Sequence, residues 1–282
     1  MINKFYNIWN TVIPNLIQRD RKVVDTKNGF SINIYSNDKV ISDEISRTGL
    51  WEPLETNIIR NNLKNDDVFV DIGANIGYYT LLASQILGEK GKVYSFEPTS
   101  SHYKMMISSI KKNKFKNIIP YNLAVSDSNS YSKIYLNYKN FGNISLIAKN
   151  VRYRFLFEYI DCVDGKKFFK KEGIESINFL KIDVEGFENI VLNNLQEIIL
   201  NNMQHLIIML EIWNKNLVDQ GKFKVEVKKI LDSFTYIYFI NKQTGKIELL
   251  NGLEDLKNLS QNGVDMLNIL LSNSELKTEG GF

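Results

Sequence analysis

Between Asp66 and Glu211, short runs of apolar residues alternate with segments whose apolar residues recur at helical spacing. The runs are rich in Val, Ile, Leu and Phe and do not alternate with polar residues, as is typical of strands buried on both faces. Such strands form parallel sheets, in which helices make the connections and cover both faces. We predict strands at Val68–Asp71, Val93–Glu97, Ile118–Ala124, Phe179–Asp183 and Leu206–Glu211. The pattern therefore predicts an α/β fold with a mostly parallel sheet.

The first 50 residues precede this alternation and predict a cap. Large apolar residues from Phe5 to Leu16 fall on one face of a helix, which we expect to cover the core; the alternative is a helix lying on a membrane surface. A hairpin follows, because Asn28-Gly29 is a tight-turn signal and apolar residues alternate after it. We assign residues 1–50 to this helix and hairpin cap, and residues 51–282 to the main domain.

Two later segments depart from the α/β rhythm. From about residue 128 to residue 163, aromatic residues such as Phe157 and Tyr159 alternate with charged ones, which predicts an inserted antiparallel β unit. Beyond Glu211, a run at Thr235–Ile240 and another near Met266–Leu271 predict strands that complete the edge of the sheet.

Composition excludes several classes of protein. A chain of 282 residues with 44% hydrophobic and 24% charged residues buries one large core. Its one cysteine, Cys162, precludes a disulfide within the chain. A net charge of +3 is too small to indicate a nucleic-acid groove, and no apolar run approaches the ~20 residues of a spanning helix. With no secretory signal at its start, we expect a cytoplasmic protein without a nucleic-acid partner or a transmembrane segment.

The strongest chemical signal follows the first predicted strand, where Asp71–Gly77 leads into a helix. Gly73 lets the backbone turn sharply and approach a ligand, and Gly77 lets the helix lie close to the strand. Free N–H groups at the helix start attract anions, and the hydroxyls of Tyr79 and Thr80 can meet a carboxylate there. Because the spacing is Gly-x-x-x-Gly rather than Gly-x-Gly-x-x-Gly, the motif predicts a nucleotide-type site but disfavours NAD.

Carboxylates end four of the predicted strands, namely Asp71, Glu97, Asp183 with nearby Glu185, and Glu211. The carboxyl ends of parallel strands border the crevice where ligands bind, so we expect these groups to face one cleft. Glu97 stands where a carboxylate accepts hydrogen bonds from both hydroxyls of a ribose. Acidic groups around one cleft repel one another, which indicates a cationic ligand or hydrogen-bond donors between them.

Together these motifs resemble the FkbM family of S-adenosylmethionine-dependent methyltransferases. The resemblance covers roughly residues 45–215 and rests on Trp51–Glu55, Val70–Thr80, Phe96–Pro98, Asn122–Asp127, Lys181–Glu188 and Leu210–Glu211. It implies a class I, Rossmann-like, mostly parallel seven-stranded sheet with helices on both faces. Asn193-Asn194 and Trp213 depart from the family pattern, which has a glycine and a histidine at these places, and both departures bear on the acceptor side.

The resemblance also implies a division of the cofactor site. The Gly73–Gly77 loop would hold the methionine part, Glu97 the ribose, Asn122–Ala124 the surroundings of the adenine, and Asp183 the sulfonium end. The full set of predicted cofactor-binding residues is Asp71, Gly73, Ala74, Asn75, Gly77, Tyr79, Thr80, Glu97, Pro98, Asn122, Leu123, Ala124 and Asp183.

Methyl transfer requires the enzyme to position the acceptor and remove its proton. Glu185 is our first choice of base, with Asp183 and Glu211 as the other candidates. Three carboxylates also suit a divalent ion, but their spacing is not specific for one and we assign no metal. We expect His102 at the surface of a helix, Cys162 as a small apolar filler, and Lys181 as the partner of an acid.

The reaction we prefer is O-methylation of a hydroxyl on a sugar, a glycan or a secondary metabolite. N-methylation of an amide or peptide side chain is an alternative, as is a catalytically silent cofactor-binding protein on the same fold. A nucleotide-dependent oxidoreductase is a further rival. A nucleic-acid methyltransferase is disfavoured, because Asp183-Val-Glu-Gly186 replaces the Pro-Pro-aromatic turn that grips a flipped base. The oligomeric state is not predictable from this sequence.

Overall fold

A computed structural model describes residues 21–135, 157–219, 222–261 and 266–278. In chain order its strands are β1 (Arg21–Asp25), β2 (Ser31–Tyr35), β3 (Val68–Ile72), β4 (Lys92–Phe96), β5 (Ile118–Tyr121), β6 (Ala124–Ser126), β7 (Ser130–Tyr135), β8 (Phe157–Asp164), β9 (Phe179–Ile182), β10 (Ile207–Trp213), β11 (Val218–Asp219), β12 (Lys222–Phe223), β13 (Tyr236–Asn241), β14 (Lys246–Leu250) and β15 (Met266–Ser272).

The helices of the described residues are α1 (Ile41–Thr48), α2 (Pro53–Asn62), α3 (Tyr78–Leu87), α4 (Ser100–Asn113), α5 (Gly165–Glu172), α6 (Glu188–Asn194), α7 (Gln196–Asn202), α8 (Asn214–Leu217), α9 (Val225–Leu231) and α10 (Leu253–Gln261). Local chemistry sets several of their ends. Helix α2 begins with Pro53, whose missing N–H costs nothing in the first turn. Helix α5 follows Asp164, which accepts a hydrogen bond from the Lys167 N–H, and ends at the left-handed Gly173.

The main sheet has the strand order β14-β13-β15-β10-β9-β3-β4-β5. Strands β10, β9, β3, β4 and β5 pair in parallel, and β15 joins β10 and β13 in antiparallel pairing. The predicted Rossmann-like architecture is therefore confirmed, but the sheet has eight strands instead of seven. The additional strand, β14, is only partly buried, so it lacks the apolar run by which the inner strands are recognised.

Successive residues of the central strands point to opposite faces of the sheet and pack in two separate cores. On one face Phe69 of β3 stacks on Phe179 of β9, with ring centroids 5.2 Å apart. On the other face lie the next residues, Val70 and Leu180. All four side chains are fully buried, and each burial of this kind contributes roughly 1.5–3 kcal/mol. Burial on both faces explains why these strands read as continuous apolar runs.

The direction of strand addition reverses beside β3. The chain moves outward from β3 to β4 and β5, and it then returns to place β9 and β10 on the other side of β3. In open α/β sheets such a reversal leaves a crevice beyond the carboxyl ends of the strands, and ligands bind there. The fold thus places its crevice where Asp71, Glu97, Asp183 and Glu211 occur.

A small three-stranded sheet, β6-β8-β7, lies beside the main one. Strand β8 pairs parallel with β6 and antiparallel with β7, so the predicted insertion is a mixed sheet rather than a purely antiparallel one. The predicted strand Ile118–Ala124 is divided, because β5 ends at Tyr121 in the main sheet and Ala124 begins β6 of the small one. Residues 136–156 of the insertion lie outside the described part of the chain.

The predicted hairpin is confirmed as the antiparallel pair β1 and β2. It packs on helix α4, where the Asn33 N–H donates to Ser109 Oγ at 2.9 Å and the Ser31 N–H donates to Asn113 Oδ1 at 2.8 Å. Its residue Ile34 is fully buried in the same core as Phe69. The predicted N-terminal helix lies outside the described residues, and the boundary at residue 50 stays a prediction.

Among the helices that the structure describes, none combines the length and the apolar character that a membrane crossing demands.

Candidate functional site

A cleft of about 350 Å³ opens at the carboxyl ends of β3, β4, β9 and β10. Its size falls within the usual range for small-molecule sites. Among the predicted site residues it is lined by Gly73, Ala74, Asn75, Tyr79, Glu97, Pro98, Leu123, Ala124, Asp183, Glu185 and Glu211. The other predicted residues, Asp71, Gly77, Thr80 and Asn122, stand behind this lining.

The turn after β3 requires glycine for reasons that involve the protein's own backbone. Gly73 has φ +85°, and a Cβ at this position would lie 1.8 Å from the carbonyl oxygen of Asp183. Gly77 has φ +90°, and the nearest atom to a Cβ there is Cγ of Met106 at 2.6 Å. Gly73 therefore permits close approach of β3 and β9, and Gly77 makes room for helix α4 rather than for the preceding strand.

Asp71 differs from the expectation that all four acidic strand ends border the cleft. Its side chain is 1% exposed, and Oδ2 accepts a hydrogen bond from Thr80 Oγ1 at 2.7 Å. The predicted pairing of a carboxylate with a hydroxyl in the first turn of α3 is thus observed. Burial raises the pKa of Asp71, while the ammonium group of Lys181 opposes that shift. Asp71 supports the turn from behind.

Glu97 lies at the rim of the cleft and is held by several donors. Its Oε2 accepts the Asn75 N–H at 2.8 Å, and its Oε1 accepts the Thr99 N–H at 2.8 Å and Thr99 Oγ1 at 2.5 Å. Burial raises the pKa of Glu97 to about 7, and these hydrogen bonds counteract the rise. Because a carboxylate offers about four lone-pair sites, three donors leave acceptor capacity for a ligand.

The wall beside Glu97 is mostly apolar. Pro98, Leu123 and Ala124 line it, and Asn122 holds them in place by donating from Nδ2 to the carbonyl oxygens of Glu97 and Pro98, at 2.9 Å each. This wall is suited to a flat aromatic base, next to a carboxylate suited to hydroxyl groups.

Asp183, Glu185 and Glu211 form an acidic cluster across the cleft from this wall, with ligand oxygens all within 4.8 Å of one another. Burial first, and then the charges of Asp183 and Glu188, raise the pKa of Glu185 to about 8. Burial and the charge of Asp183 also raise the pKa of Glu211 well above its ordinary value. Such a cluster can take up a proton or attract a cationic group.

Lys181 is a buried cation beside this cluster. Its Nζ donates to Asp183 Oδ2 at 3.1 Å and lies 5.2 Å from the centre of the Tyr79 ring. The prediction that Lys181 partners an acid is confirmed. Burial alone would lower its pKa, but the charges of Asp183 and Asp71 outweigh burial and raise it.

Backbone strain is concentrated at the cleft. In the described part of the chain, the residues other than glycine with positive φ are Glu52 (42°), Asn75 (54°), Lys114 (58°) and Glu185 (51°). All of these except Lys114 line the cleft. Left-handed backbone at such residues is uncommon, and it persists where the surrounding structure holds it, commonly at functional sites.

Sequence reasoning missed two charged residues of the cleft, Glu52 and Lys242. Glu52 Oε2 accepts a hydrogen bond from the Tyr79 hydroxyl at 2.6 Å, and Glu52 Oε1 pairs with Lys242 Nζ. Lys242 also lies 3.4 Å from Oε1 of the buried Glu55. Glu52 belongs to the Trp51–Glu55 motif, so the sequence contains a signal that could have indicated it. Lys242 follows β13 with no local signal of its role.

His102 was expected at the surface of a helix, and this expectation is wrong. Its side chain is 1% exposed and borders the cleft, and burial lowers its pKa to about 3, so the imidazole is neutral. Its Nδ1 lies 3.9 Å from Glu97 Oε1. Cys162 is buried in a small apolar cluster, in agreement with the filler role predicted for it.

The cleft as a whole fits a ligand with three kinds of group. A cationic centre matches the acidic cluster, a pair of hydroxyls matches Glu97, and an aromatic base matches the wall at Pro98 and Leu123. S-adenosylmethionine combines these groups in one molecule.

Comparison with solved structures gives distant matches. The FkbM methyltransferase from Methylobacillus flagellatus KT is 15% identical over 72% of this chain and 44% of its own, with a TM-score of 0.42. An rRNA methylase from Streptococcus thermophilus is 12% identical over 80% and 99%, with a TM-score of 0.42. TYW2 of M. jannaschii, solved in complex with AdoMet, is 12% identical over 89% and 83%, with a TM-score of 0.45. The chain spans less than half the length of the M. flagellatus protein.

None of the curated proteins compared with the chain matches it significantly. The family model of the methyltransferase FkbM domain matches residues 71–238, which is more than half of the chain. The matched stretch runs from the end of β3 into β13 and includes the glycine turn, Glu97 and the acidic cluster. The chain therefore belongs to the FkbM family of S-adenosylmethionine-dependent methyltransferases.

Proposed function

We propose that this enzyme methylates a hydroxyl group on a sugar, a glycan or a secondary metabolite, with Glu185 as the base that takes the hydroxyl proton. The observation that carries the proposal is the position of Glu185. It borders the cleft together with Asp183 and Glu211, and its pKa is raised to about 8. A general base works best when its pKa lies near the operating pH.

The residues of the cleft suggest how the cofactor is held. We assign the ribose hydroxyls to Glu97, the adenine to the wall of Pro98, Leu123 and Ala124, and the sulfonium end to Asp183. The Gly73–Gly77 turn and the free N–H groups at the start of α3 suit the methionine part. When bound, S-adenosylmethionine supplies an electrophilic methyl group.

Glu185 is favoured over the other carboxylates by its surroundings. Asp183 accepts a hydrogen bond from Lys181 at 3.1 Å, so this ion pair occupies one of its oxygens. Burial, and then the charge of Asp183, raise the pKa of Glu211 well above its ordinary value, which disfavours its deprotonated form. Glu185 borders the cleft and has a pKa raised to about 8, and this combination supports it as the base.

The charges along the cleft favour an acceptor without negative charge. The charged residues that line it in the described part of the chain are Glu52, Glu97, Lys181, Asp183, Glu185, Glu211 and Lys242. Both lysines are paired with carboxylates, Lys181 with Asp183 and Lys242 with Glu52. A phosphate-rich acceptor would find no unpaired lysine among the described residues that line the cleft, whereas the carboxyl groups can form hydrogen bonds with a neutral hydroxyl compound.

Two indole side chains support a sugar as the acceptor. Trp51 and Trp213 both line the cleft beside Glu52 and Glu211. Indole rings present flat apolar faces to the C–H faces of a sugar ring, while neighbouring carboxylates accept hydrogen bonds from its hydroxyls. Trp213 is also the residue at which the chain departs from the family pattern on the acceptor side.

The proposal is tested in two stages. Calorimetric titration with S-adenosylhomocysteine first establishes cofactor binding, with NADH as the negative control. The enzyme is then incubated with methyl-deuterated S-adenosylmethionine and a panel of neutral oligosaccharides, phenolic metabolites and peptides, and products are identified by mass spectrometry and NMR. We expect label on an oxygen of a neutral acceptor. Label on an amide nitrogen would establish the N-methylation alternative, and cofactor binding without transfer to any acceptor would indicate a silent protein.

The role of Glu185 is tested with the acceptor found in that screen. Glu185→Gln should slow transfer by about 100-fold or more while S-adenosylhomocysteine still binds, because the base is lost but the cofactor site is intact. Glu226→Gln, at an exposed position of α9, is the matched control and should transfer at the wild-type rate. Wild-type transfer by Glu185→Gln would exclude Glu185 as the base.

A further inference from the structure

The first turn of helix α4 is bound by two carboxylates from distant parts of the chain. Glu97, at the end of β4, accepts hydrogen bonds from the N–H and the hydroxyl of Thr99. Glu158, in β8 of the small sheet, accepts the Ser100 N–H at 3.0 Å and also the Ser100 hydroxyl. Adjacent residues at the start of α4 therefore connect the cleft to the inserted sheet.

Thr99 stands at the N-cap position of α4 but does not cap the helix with its side chain. A threonine at this position ordinarily accepts a hydrogen bond from an N–H of the first turn. Here its hydroxyl donates to Glu97 Oε1 at 2.5 Å instead. The negative charge that a helix N-terminus favours is supplied by Glu158, which binds the N–H of the next residue, Ser100.

The burial of Glu158 shows that this arrangement has an energetic cost. The side chain is 2% exposed, and burial raises its pKa. A buried carboxylate is destabilising unless hydrogen bonds compensate it. The two groups of Ser100 compensate only Oε1 of Glu158, and Oε2 has no hydrogen-bond partner among the described residues. An exposed carboxylate could stabilise the same helix end without this cost, so capping alone does not account for a buried one.

We propose that Glu158 is a positioning residue for the ribose site. By holding Ser100 from the inserted sheet, it fixes the start of α4, so that the hydroxyl of the adjacent Thr99 holds the carboxylate of Glu97 in one orientation. The other oxygen of Glu97, Oε2, is held by the Asn75 N–H at 2.8 Å. The inference rests on the proposed assignment of the ribose to Glu97.

The loss of Glu158 has a defined consequence. The N–H and the hydroxyl of Ser100 would lose their acceptor, so the start of α4, and Thr99 with it, would no longer be held in place against Glu97. Glu97 would then lose the 2.5 Å hydrogen bond that restricts its side chain. A less restricted carboxylate gains less from a ribose hydroxyl, because it must be ordered when the ligand binds.

The test measures recognition of one ribose hydroxyl. Dissociation constants of S-adenosylhomocysteine and its 2′-deoxy analogue are measured by calorimetry for each variant. We expect the wild type to prefer S-adenosylhomocysteine by about tenfold, the effect of one hydrogen bond to a charged group. Glu158→Ala and Thr99→Val should both reduce this preference to about twofold. Glu158→Gln keeps an acceptor oxygen for Ser100 and should restore most of the preference.

Asp161→Asn is the matched control, because it removes a carboxylate from an exposed position of the same strand and should leave the preference unchanged. A merely structural role for Glu158 would weaken both ligands equally, and that result, or an unchanged preference in Glu158→Ala, would overturn the inference. If Glu158→Ala does not fold, as judged by circular dichroism, Ser100→Ala replaces it. That variant removes one of the two hydrogen bonds and should lower the preference by about half, whereas no change would also overturn the inference.

Failure of the proposed function has a different signature. A wild-type protein that binds neither ligand would contradict the cofactor site itself. If the wild-type protein binds S-adenosylhomocysteine and its 2′-deoxy analogue with equal affinity, Glu97 does not bind the ribose hydroxyl. That result would overturn the inference together with the assignment of Glu97.

Discussion

The ammonium group of Lys181 lies 3.1 Å from Oδ2 of Asp183, two residues further along the chain. Lys181 is 5% exposed and belongs to β9, whose register places it beside Asp71 of β3. One buried cation therefore serves a carboxylate that lines the cleft and another that supports the turn behind it. Lys181 therefore compensates the charge of one acid in the acidic cluster and of another in the core of the sheet.

Removal of that cation should destabilise the fold. In Lys181→Met the side chain keeps a similar length, but Asp71 and Asp183 lose their compensating charge. We expect the free energy of unfolding to fall by about 3 kcal/mol, as is typical when one member of a buried ion pair is removed. Urea denaturation measures the change. Lys92→Met, at the exposed start of β4, should alter stability by no more than ~0.5 kcal/mol, and an equal effect of both variants would contradict this role.

Gly73 should not tolerate even a methyl group. A Cβ there would lie 1.8 Å from the Asp183 carbonyl oxygen, and backbone cannot move aside as the end of a side chain can. We expect Gly73→Ala to lose more than ~3 kcal/mol of stability or to fail to fold, as shown by thermal unfolding. Gly245→Ala is the matched control, since it has φ +68° with no atom within 4 Å and should lose about 1 kcal/mol. Similar losses of stability in both variants would show that the close approach of Gly73 to the Asp183 carbonyl oxygen is not the cause.

Transfer should depend on the protonation of Glu185. The base acts only when it is deprotonated, and its pKa is raised to about 8, so the rate should increase with pH and reach half of its maximum near pH 8. Single-turnover rates at saturating cofactor and acceptor give the profile. In Glu185→Gln the residual rate should lack this increase. A wild-type rate that is constant from pH 6 to pH 9 would assign the proton transfer to another group.

The same raised pKa predicts a dependence of stability on pH. In the folded protein Glu185 has a pKa of about 8, against about 4.5 in the unfolded chain. Folding therefore favours the protonated form, and the associated stability is present below pH 4.5 and is lost as pH rises towards 8. Relative to Glu185→Gln, the wild type should lose on the order of 3 kcal/mol between pH 5 and pH 8 in urea denaturation. A difference that is constant over this range would contradict the raised pKa.

Lys242 should stabilise the contact between the segment before α2 and the hairpin of β13 and β14. It pairs with Glu52 and Glu55, and burial, together with the charge of Glu52, raises the pKa of Glu55 to about 7. Because Glu55 carries a proton at pH 5, Lys242→Met should cost more stability at pH 8 than at pH 5. We expect a loss of about 1 kcal/mol at pH 8, since Lys242 is partly exposed and water screens the pair.

Urea denaturation of Lys242→Met at both pH values measures this difference. Lys246→Met, at an exposed position of β14, is the matched control and should show no dependence on pH. If Lys242→Met loses more stability at pH 5 than at pH 8, the pairing of Lys242 with deprotonated Glu55 does not stabilise the fold.

Much of the fold was predictable because its signals are local. Burial on both faces makes β3 and β9 continuous apolar runs, and the glycines after Asp71 mark a strand-to-helix turn within a few residues. The motifs that end the strands likewise identified the family and most residues that line the cleft. Each of these inferences depends only on neighbours in the chain.

The insertion shows where local pattern is insufficient. Alternation predicted a strand around Phe157 and Tyr159, and β8 is present there. However, Phe157 is exposed and Glu158 is buried, the opposite of what residue type suggests. The side of β8 that faces inward is decided by its pairing with β7 and by the start of α4, which are far away in the sequence.

The sequence by itself determined the α/β class, the glycine turn and the placing of carboxylates at strand ends, since strand and turn formation depend on residues a few positions apart. Only the tertiary structure decided which acid faces the cleft and which supports it, as with Asp183 and Asp71. It alone brought Lys242 to Glu52, 190 residues away in the chain. Hydrogen bonds and ion pairs act over a few ångströms of space, and sheet register and helix packing decide which distant residues come that close.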